Sequence, residues 1–305
     1  MITRDARLIL ESVRSGKLPA DAVAVPDRVF MVEPVNFRIN EESARDNPYM
    51  DTGMDVDADR ALEQYVELLA LIRGVGVLVK SFPGDPAAPD DVFPNNVFST
   101  VPGRLIVGHM LHPSRQVEAD REDIRRYFSD SGYETVDLSQ LNCIAELTGP
   151  LVIDRARRLG FCGMTHRVDE FGLKAMQKAF DLRATLQFDL QSSEYHTNMI
   201  MSVLAGRACV LHAASFADRS VPLTIAGIYE GRMIYLDEAE KDAFAGNCIA
   251  LTKRDLFMSQ TAADALRMEN RARLESWGFR IHSTKLDEIE KAGGSLRCMV
   301  GEIYR

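Results

Sequence analysis

The 305-residue sequence lacks several features that define common classes of protein. It has no apolar run long enough to span a membrane, no G-x-G-x-x-G or P-loop sequence for a nucleotide, and no dense cluster of metal ligands. Its five cysteines form no C-x-x-C pair. The N-terminus has no apolar signal core, which predicts a cytoplasmic location. We therefore expect no membrane segment, no metal and no other cofactor.

Positive charge is also scarce. Lys and Arg number 36 against 45 Asp and Glu, so the formal net charge is -9. Nucleic acids and anionic membranes are bound by clustered positive charge, and neither is expected as a partner. Apolar residues make up 46% of the chain and charged residues 27%, as in ordinary globular proteins. The acidic balance suits a cationic or zwitterionic small molecule.

Strand and helix patterns alternate along the chain. Helical spacing of apolar residues predicts helices over 55–74 and 261–277, and hairpins are predicted within 151–161 and 199–211. A purely parallel doubly wound sheet would not need hairpins. No linker rich in Gly or Ser divides the chain. The sequence predicts a single α/β domain over residues 1–305, built from repeated strand-hairpin-helix units.

A glycine-rich segment near the C-terminus, GGSLRC at 293–298, contains the strongest candidate nucleophile. Two glycines allow a sharp bend close to a ligand, and a cysteine after such a bend can become a reactive thiolate if its pKa is lowered. Free cysteines are usually buried, so the alternative is an inert Cys298 at the start of the strand predicted over 299–303. The other four cysteines are expected to be buried, reduced thiols.

Other polar segments contain candidates for acid-base chemistry and binding. His196 precedes an apolar strand pattern, where it could act as general acid and base or be a structural histidine. The loop PDDVFPNN at 89–96 combines carboxylates with amides, although these are also turn residues. Glu146 lies in a polar corner before a strand. Arg115 and Arg167 could hold a carboxylate bidentately, or be solvated surface arginines.

Together and in this order, these segments resemble the guanidino-group-modifying (pentein) superfamily, and most of all its amidinotransferase-like branch, which contains citrulline hydrolases. The superfamily also includes arginine deiminases and dimethylarginine dimethylaminohydrolases. The resemblance implies a five-bladed, pseudo-symmetric α/β propeller, which would account for the hairpins. It rests on Val32-Glu33-Pro34 with Phe37 and Asn40, PDDVFPNN at 89–96, Glu146 before TGPLVIDR, Thr165-His166-Arg167, YHTN at 195–198 and GGSLRCM at 293–299.

The resemblance also implies roles for individual residues. Cys298 would be the nucleophile, His196 the general acid and base, and Glu146 the group that orients the substrate. No metal or other cofactor is implied, and the partner would be a small guanidino or ureido amino acid. A homodimer is left open. The implied substrate-binding residues are Phe37, Asp90, Asn95, Asn96, Arg115, Arg167 and Asn198.

Two departures from the family pattern bear on the substrate. Arginine deiminases and dimethylarginine hydrolases have an acidic residue where this chain has Asn96, and deiminases have an aspartate where it has Asn198. A guanidinium offers only N–H donors and suits carboxylates, whereas the oxygen of a ureido group needs a donor such as an amide. The two asparagines therefore favour a ureido substrate.

The sequence leaves several functions to be separated. The first expectation is hydrolysis of citrulline to ornithine, carbon dioxide and ammonia through a covalent intermediate on Cys298. Arginine dihydrolase activity, which passes through citrulline, is the near alternative, followed by arginine deiminase and dimethylarginine dimethylaminohydrolase activity. Alternatives of another kind are an amidinotransferase, with an amine in place of water as acceptor, and a non-catalytic binding protein on the same fold.

Overall fold

The computed structural model describes residues 1–305, along which short strands and helices alternate. The strands are β1 Ile2–Thr3, β2 Arg28–Val32, β3 Leu78–Phe82, β4 Phe98–Val101, β5 Arg104–Val107, β6 Glu134–Asp137, β7 Leu151–Asp154, β8 Leu159–Met164, β9 Ala184–Asp189, β10 Met201–Leu204, β11 Ala208–Leu211, β12 Met233–Tyr235, β13 Ile249–Ala250, β14 Asp255–Ser259, β15 Arg280–Thr284 and β16 Gly301–Ile303. The α-helices are α1 Ala6–Arg14, α2 Ala58–Gly74, α3 Pro113–Gln116, α4 Glu122–Asp130, α5 Glu170–Ala179, α6 Thr197–Ile200, α7 Ser220–Ile228, α8 Glu238–Asp242, α9 Gln260–Ala265, α10 Met268–Ser276, α11 Asp287–Glu290 and α12 Leu296–Met299. None of these helices combines the length and apolar character needed to cross a membrane.

The strands form five small sheets of one repeating design. Their orders are β16-β2-β3, β4-β5-β6, β1-β9-β8-β7, β10-β11-β12 and β13-β14-β15. In each sheet a central strand pairs antiparallel with one neighbour and parallel with the other. Helical segments cross from the central strand to its parallel partner, as parallel pairing requires. Strand β1 is an addition to the third sheet that the sequence analysis missed.

The antiparallel partners of the central strands lie nearest one another. Strand β16 contacts β4, and β10 contacts both β7 and β13. Four of the five sheets take this inner strand from a local segment, but the first sheet takes β16 from the far end of the chain. The loops that lead into the inner strands are consequently brought together from the whole length of the sequence.

Local sequence explains the elements of the first sheet. Strand β2 is buried over Val29–Val32 on both faces, which matches its continuous apolar run. Helix α2 begins after Asp57, whose side chain accepts from the backbone N–H of Arg60. Its buried residues include Ala61, Tyr65, Leu68 and Ile72, spaced three or four apart, so one face of the helix packs on the sheet.

The single helix predicted over 261–277 is wrong, because two helices occupy this segment. Helix α9 ends at Ala265 and α10 begins at Met268, with Leu266 and Arg267 in extended conformation between them. The backbone N–H of Arg267 donates to Glu240 Oε1 at 2.9 Å instead of continuing the helix. The helix therefore ends where the Glu240 carboxylate accepts a backbone N–H, although the apolar residues of the segment continue at helical spacing.

Candidate active site

Five polar positions lie at equivalent places in the five repeats. Asn96, Thr148, Asn198, Asn247 and Cys298 each stand two or three residues before the inner strand of their sheet. Successive positions from Thr148 to Cys298 are 50, 49 and 51 residues apart. The repeat therefore places one polar side chain from each sheet around the same centre.

Hydrogen bonds link these positions from one repeat to the next. Thr148 Oγ1 donates to the carbonyl oxygen of Asn95 at 3.0 Å, and Asn198 Nδ2 donates to that of Thr148 at 3.0 Å. Asn247 Nδ2 donates to the carbonyl oxygen of Asn198 at 3.0 Å, and its Oδ1 accepts from the backbone N–H of Arg297 at 3.0 Å. These bonds fix the loops around the centre relative to one another, which a precise site needs.

Glu146 and His196 form a fully buried pair beside this ring. His196 Nε2 lies 2.8 Å from Glu146 Oε2, and Arg167 Nη1 lies 3.2 Å from both carboxylate oxygens. Burial alone would raise the pKa of Glu146, but the charge of Arg167 and the hydrogen bond to His196 hold that pKa well below its usual range. Glu146 is therefore ionised at neutral pH, and Nε2 of His196 is the nitrogen that carries the proton toward it.

The His196 ring is held on two sides. The Tyr195 ring packs against it with centroids 4.3 Å apart, and Gly149 lies so close that a Cβ there would come within 2.6 Å of the imidazole. Burial lowers the pKa of His196, although Glu146 opposes that shift. Because Nδ1 is buried without a hydrogen-bond partner, a neutral His196 keeps one ring nitrogen free to accept a proton. The prediction of His196 at the mouth of a strand needs adjustment, since it precedes the short helix α6.

Cys298 lies in a one-turn helix and not at the start of the predicted strand 299–303. The strand begins only at Gly301, and α12 carries the cysteine into the centre with its side chain 1% exposed. Gly293 has a φ of 68°, and a Cβ on Gly294 would come within 2.8 Å of the Phe93 ring. Both glycines are therefore needed for the close turn that delivers the cysteine.

The Cys298 thiol receives donors from two asparagines. Asn247 Nδ2 lies 3.3 Å from Sγ and Asn198 Nδ2 lies 3.7 Å from it. Burial raises the pKa of the Cys298 thiol, and the hydrogen bond from Asn247 offsets part of that rise. The sulfur is therefore protonated at neutral pH, and a cation placed beside it would favour the thiolate.

Asp90 and Asn96 present unpartnered oxygens. Asp90 Oδ2 accepts from Asn40 Nδ2 at 2.9 Å and from Ser43 Oγ at 2.7 Å. Its other oxygen, Oδ1, and Oδ1 of Asn96 are buried without a partner. Buried polar atoms are normally paired, so these two acceptors are available to the N–H groups of a ligand.

The two arginines of the pocket are already engaged by protein carboxylates. Arg115 Nε and Nη2 each lie 2.9 Å from a carboxylate oxygen of Glu118. Arg167 reaches Asp46 at 2.7 Å as well as Glu146. Both guanidinium groups stabilise the carboxylates around the centre. Their expected contact with a substrate carboxylate stays a prediction.

The polar segment between β2 and α2 covers the pocket. Asn47 and Met50 from this segment line it. Asp46 accepts from Arg167 Nη2 at 2.7 Å, and Tyr49 donates through its hydroxyl to Glu194 Oε2 at 2.7 Å. The wall of the pocket therefore combines residues of this segment with residues of the loops that precede the inner strands.

The pocket itself is small and mostly enclosed. Its cavity offers a volume of about 20 Å³ to water-sized spheres, well below the ~300–1,000 Å³ of typical small-molecule sites. No group of three or more His, Cys, Asp or Glu side chains is arranged to hold a metal ion. The lining residues are Ser43, Asn47, Met50, Asp90, Phe93, Asn96, Arg115, Arg167, Tyr195, Ala292, Gly294 and Cys298.

The structure brings most of the predicted site residues together. Cys298, Asp90, Asn96, Arg115 and Arg167 line the pocket. Glu146 contacts Arg167 and Asn198 contacts Cys298, whereas His196 is joined to this set through Glu146. Two predicted residues lie outside the wall. Phe37 is buried in the largest apolar cluster, and Asn95 donates through Nδ2 to Thr148 Oγ1 at 3.2 Å.

Sequence reasoning missed several residues of the site. Asp46 and Glu118 pair with the two arginines, Ser43 holds Asp90, and Asn247 donates to the cysteine. The first three gave no signal, since acidic and hydroxyl residues in loops are common. Asn247 had one signal, because asparagine recurs before three of the inner strands, in the segments NNVFS, TNMIM and GNCIA. The first two segments are two repeats apart and the last two are one repeat apart.

Comparison with known proteins gives a match over almost the whole chain. The family described as N,N dimethylarginine dimethylhydrolase, eukaryotic, matches residues 33–305. Among curated proteins, the bifunctional arginine dihydrolase/ornithine cyclodeaminase AgrE of Nostoc sp. is 24% identical over 254 residues, which cover 83% of this chain. The chain spans only 35% of the length of AgrE.

Solved structures show a similar fold. The N-terminal domain of ArgZ, an arginine dihydrolase from cyanobacteria solved as a cysteine-to-serine variant with substrate, superposes with a TM-score of 0.80 at 21% identity, covering 91% of this chain and 98% of that domain. A dimethylarginine dimethylaminohydrolase adduct with S-methyl-L-thiocitrulline gives a TM-score of 0.68 at 15% identity, covering 91% and 99% of the two chains. At these identities the likeness concerns the fold.

Proposed function

The chain belongs to the N,N dimethylarginine dimethylhydrolase family, and on that premise we propose that it hydrolyses the guanidino group of an arginine-like amino acid through a covalent intermediate on Cys298. The predicted resemblance to guanidino-modifying enzymes and the five-bladed propeller are confirmed. The chain is a hydrolase of C–N bonds other than peptide bonds. The observation that carries the proposal is the position of Cys298 in a small pocket whose wall includes Arg167 and Tyr195, the two residues that contact the buried His196–Glu146 pair.

The charge around the pocket supports a cationic substrate. Four carboxylates, those of Asp46, Asp90, Glu118 and Glu146, surround the two guanidinium groups of the wall. Burial raises the pKa of Glu118 to about 7, so its charge counts only in part at neutral pH. The remaining excess of negative charge attracts a guanidinium more than a neutral ureido group. Because burial raises the pKa of Cys298, a cationic substrate would also promote ionisation of the thiol.

The first hydrolysis uses the groups in a fixed order. Cys298 gives its thiol proton to neutral His196, and the thiolate adds to the guanidino carbon. The imidazolium then gives that proton to the leaving nitrogen, which departs as ammonia or an amine. Neutral His196 then accepts a proton from water through Nδ1 as the water adds to the same carbon. The bond to sulfur breaks, and the products are a ureido compound and the free thiol. Glu146 stabilises the imidazolium in both steps.

A second hydrolysis of the ureido product is the finer proposal. Asn96 contributes an amide where a carboxylate would bind a guanidinium alone, and its Nδ2 can donate to a ureido oxygen. Addition of the thiolate to the ureido carbon, loss of ammonia and hydrolysis of the resulting thiocarbamate give an amine and carbon dioxide. Arginine would then be converted to ornithine by way of citrulline. Citrulline as the entering substrate is the second candidate, favoured by the same asparagine.

Product analysis tests this function directly. The purified chain is incubated separately with arginine, asymmetric dimethylarginine, agmatine and citrulline, and ammonia, methylamines, citrulline and ornithine are quantified. We expect turnover of arginine with two ammonia released per ornithine formed. Stoichiometric citrulline would indicate a single hydrolysis, and turnover of methylated arginine alone would indicate a dimethylarginine hydrolase. Absence of ammonia or amine release from all four compounds would reject the proposal.

Replacement of Asn96 by aspartate is expected to separate the two hydrolyses. A second carboxylate beside Asp90 suits a guanidinium and removes the donor to a ureido oxygen. Loss of one such hydrogen bond costs about 10–100-fold in kcat/KM for citrulline, while the value for arginine changes by less than about tenfold. The measurement is the ratio of citrulline to ornithine formed from arginine. An unchanged ratio would show that Asn96 does not contact the ureido oxygen.

For the chain as a whole we propose one catalytic domain over residues 1–305. The pairing of β16 with β2 supports it, since the first sheet takes strands from both ends of the sequence. Membership of a hydrolase family favours water as the acceptor over the amine of an amidinotransferase, and catalysis over simple binding. Addition of glycine or ornithine to the assay tests the transferase alternative, because either acceptor would then increase turnover. The homodimer stays a prediction.

A further inference from the structure

The geometry points to Asn247 as a positioning residue that holds the Cys298 sulfur and favours its thiolate. This inference rests on the proposed function of Cys298 as the nucleophile, but it assigns a role to a residue outside the acid-base pair. Asn247 is fully buried and belongs to the fifth repeat, whose loop otherwise contributes no polar side chain to the centre described above.

The contacts of Asn247 tie the nucleophile to its surroundings. Oδ1 accepts the backbone N–H of Arg297, the residue before the cysteine, at 3.0 Å. Nδ2 lies 3.0 Å from the carbonyl oxygen of Asn198 and 3.3 Å from Cys298 Sγ, with Met199 Sδ at 3.4 Å. One side chain therefore fixes both the backbone before the cysteine and the sulfur itself.

The orientation of the amide is determined by its neighbours. The Arg297 N–H can only donate, so it must face the amide oxygen, and the Asn198 carbonyl oxygen can only accept, so it must face the NH₂ group. The opposite orientation would leave both backbone groups unpaired in a buried place, at considerable cost. The NH₂ group therefore points toward the sulfur whether the cysteine is a thiol or a thiolate.

A donor in this position matters most after ionisation. A hydrogen bond from a neutral amide to a charged sulfur is charge-assisted and stronger than one to a thiol. It lowers the energy of the thiolate in a place where burial opposes ionisation. Asn198 lies farther from the sulfur and directs Nδ2 mainly to the Thr148 carbonyl oxygen, so Asn247 is the nearer of the two donors.

Alkylation of the cysteine by iodoacetamide measures this effect without any substrate. In the unaltered chain we expect the rate at Cys298, followed by peptide mass spectrometry, to rise about tenfold per pH unit between pH 7 and 9, because its thiol is mostly protonated there. In Asn247→Ala the plot of alkylation rate against pH should shift to higher pH by about one to two units. This shift is equivalent to the loss of one charge-assisted hydrogen bond. At pH values below the thiol pKa, the alkylation rate and kcat/KM of this variant should both be about 10–100-fold lower than in the unaltered chain. KM should be nearly unchanged.

Two further variants keep the test decisive. Asn247→Asp is isosteric and can still accept from Arg297, but it replaces the donor to sulfur by an oxygen, so its shift should be at least as large. It serves also where Asn247→Ala fails to fold, as judged by circular dichroism. Asn270→Ala removes another buried amide, one that bonds to Glu240 and the Tyr235 carbonyl oxygen, and should destabilise the fold without moving the alkylation curve.

The possible outcomes distinguish this inference from the proposed function. Folded Asn247 variants with the same alkylation curve as the unaltered chain would overturn the positioning role. A shifted curve together with full turnover in Cys298→Ser would instead overturn the role of the cysteine as nucleophile, while the contact between the two residues stood. A curve shifted equally in Asn270→Ala would show a general loss of packing, which also contradicts a specific role for Asn247.

Discussion

Cys298→Ser is expected to abolish turnover of the guanidino substrate, with kcat reduced by about 10⁴-fold or more. A serine hydroxyl in the same place is a far weaker nucleophile than a thiolate, and no group in the pocket is arranged to remove its proton as strongly. The exchange of sulfur for oxygen changes little volume, so the fold should persist. Ammonia release measures the rate, and a thermal melt confirms that the variant is folded.

The other cysteines supply the control for this variant. Cys143 is buried in a loop before β7 and lies outside the pocket, so Cys143→Ser should retain activity within about twofold for the folded protein. Acid quenching during turnover, followed by mass spectrometry, should find an adduct on Cys298 in the unaltered chain and none in Cys298→Ser. Activity in Cys298→Ser within about tenfold of normal would exclude covalent catalysis by this residue.

Glu146→Gln should have the second-largest effect, a loss of about 10²–10⁴ in kcat. The amide keeps the size of the side chain and can still accept the backbone N–H of Leu111. It no longer offers a negative charge to His196 Nε2, so the imidazolium formed during catalysis loses its main stabilising partner. Arg167 also loses one of its two carboxylates, which should lower the free energy of unfolding by about 1–3 kcal/mol.

The Glu146→Gln variant should also shift the pH dependence of kcat in a defined direction. Burial lowers the pKa of His196 and Glu146 raises it, so removal of the carboxylate should lower the pKa further. Where deprotonated His196 is required, the acidic limb of kcat should therefore move to lower pH while the plateau falls. Asp154→Asn is a matched control, because Asp154 is buried and pairs with Arg157 at 2.8 Å away from the pocket. It should lose stability without a change in the pH profile.

The sequence was sufficient to predict those strands and helices whose residue pattern lies within a single segment. The apolar run of β2 and the hairpin of β7 and β8, with its charged turn over 155–158, were predicted correctly. The helix predicted over 261–277 failed because its interruption depends on Glu240, which accepts the Arg267 N–H from outside the segment. Periodicity records which face of a segment is buried, but not which distant group competes for its backbone.

The site was predictable in part for a similar reason. Cys298, His196 and Glu146 were found from motifs that a family resemblance connects, since no spacing within one segment brings them together. Asn247 was missed because a single asparagine before a strand resembles any turn residue. The recurrence of asparagine before three inner strands was a weak signal, and the contact with the sulfur is evident once the repeats are aligned through the fold, where Asn247 occupies the position that Cys298 holds in the next repeat.

The pairing of β16 with β2 has a consequence for the order of folding. The other four sheets contain hairpins closed by a few residues, whereas the first sheet joins residues 28–30 to 301–303. Closing so long a loop carries the largest entropic cost in the molecule, and such contacts form slowly. Because Cys298 lies three residues before β16, its sulfur reaches the other loops only when the first sheet is closed. A chain in which the other four sheets have formed can already hold the loop of Glu146 in place while Cys298 is still absent from the pocket. Catalytic activity therefore reports completion of the whole fold.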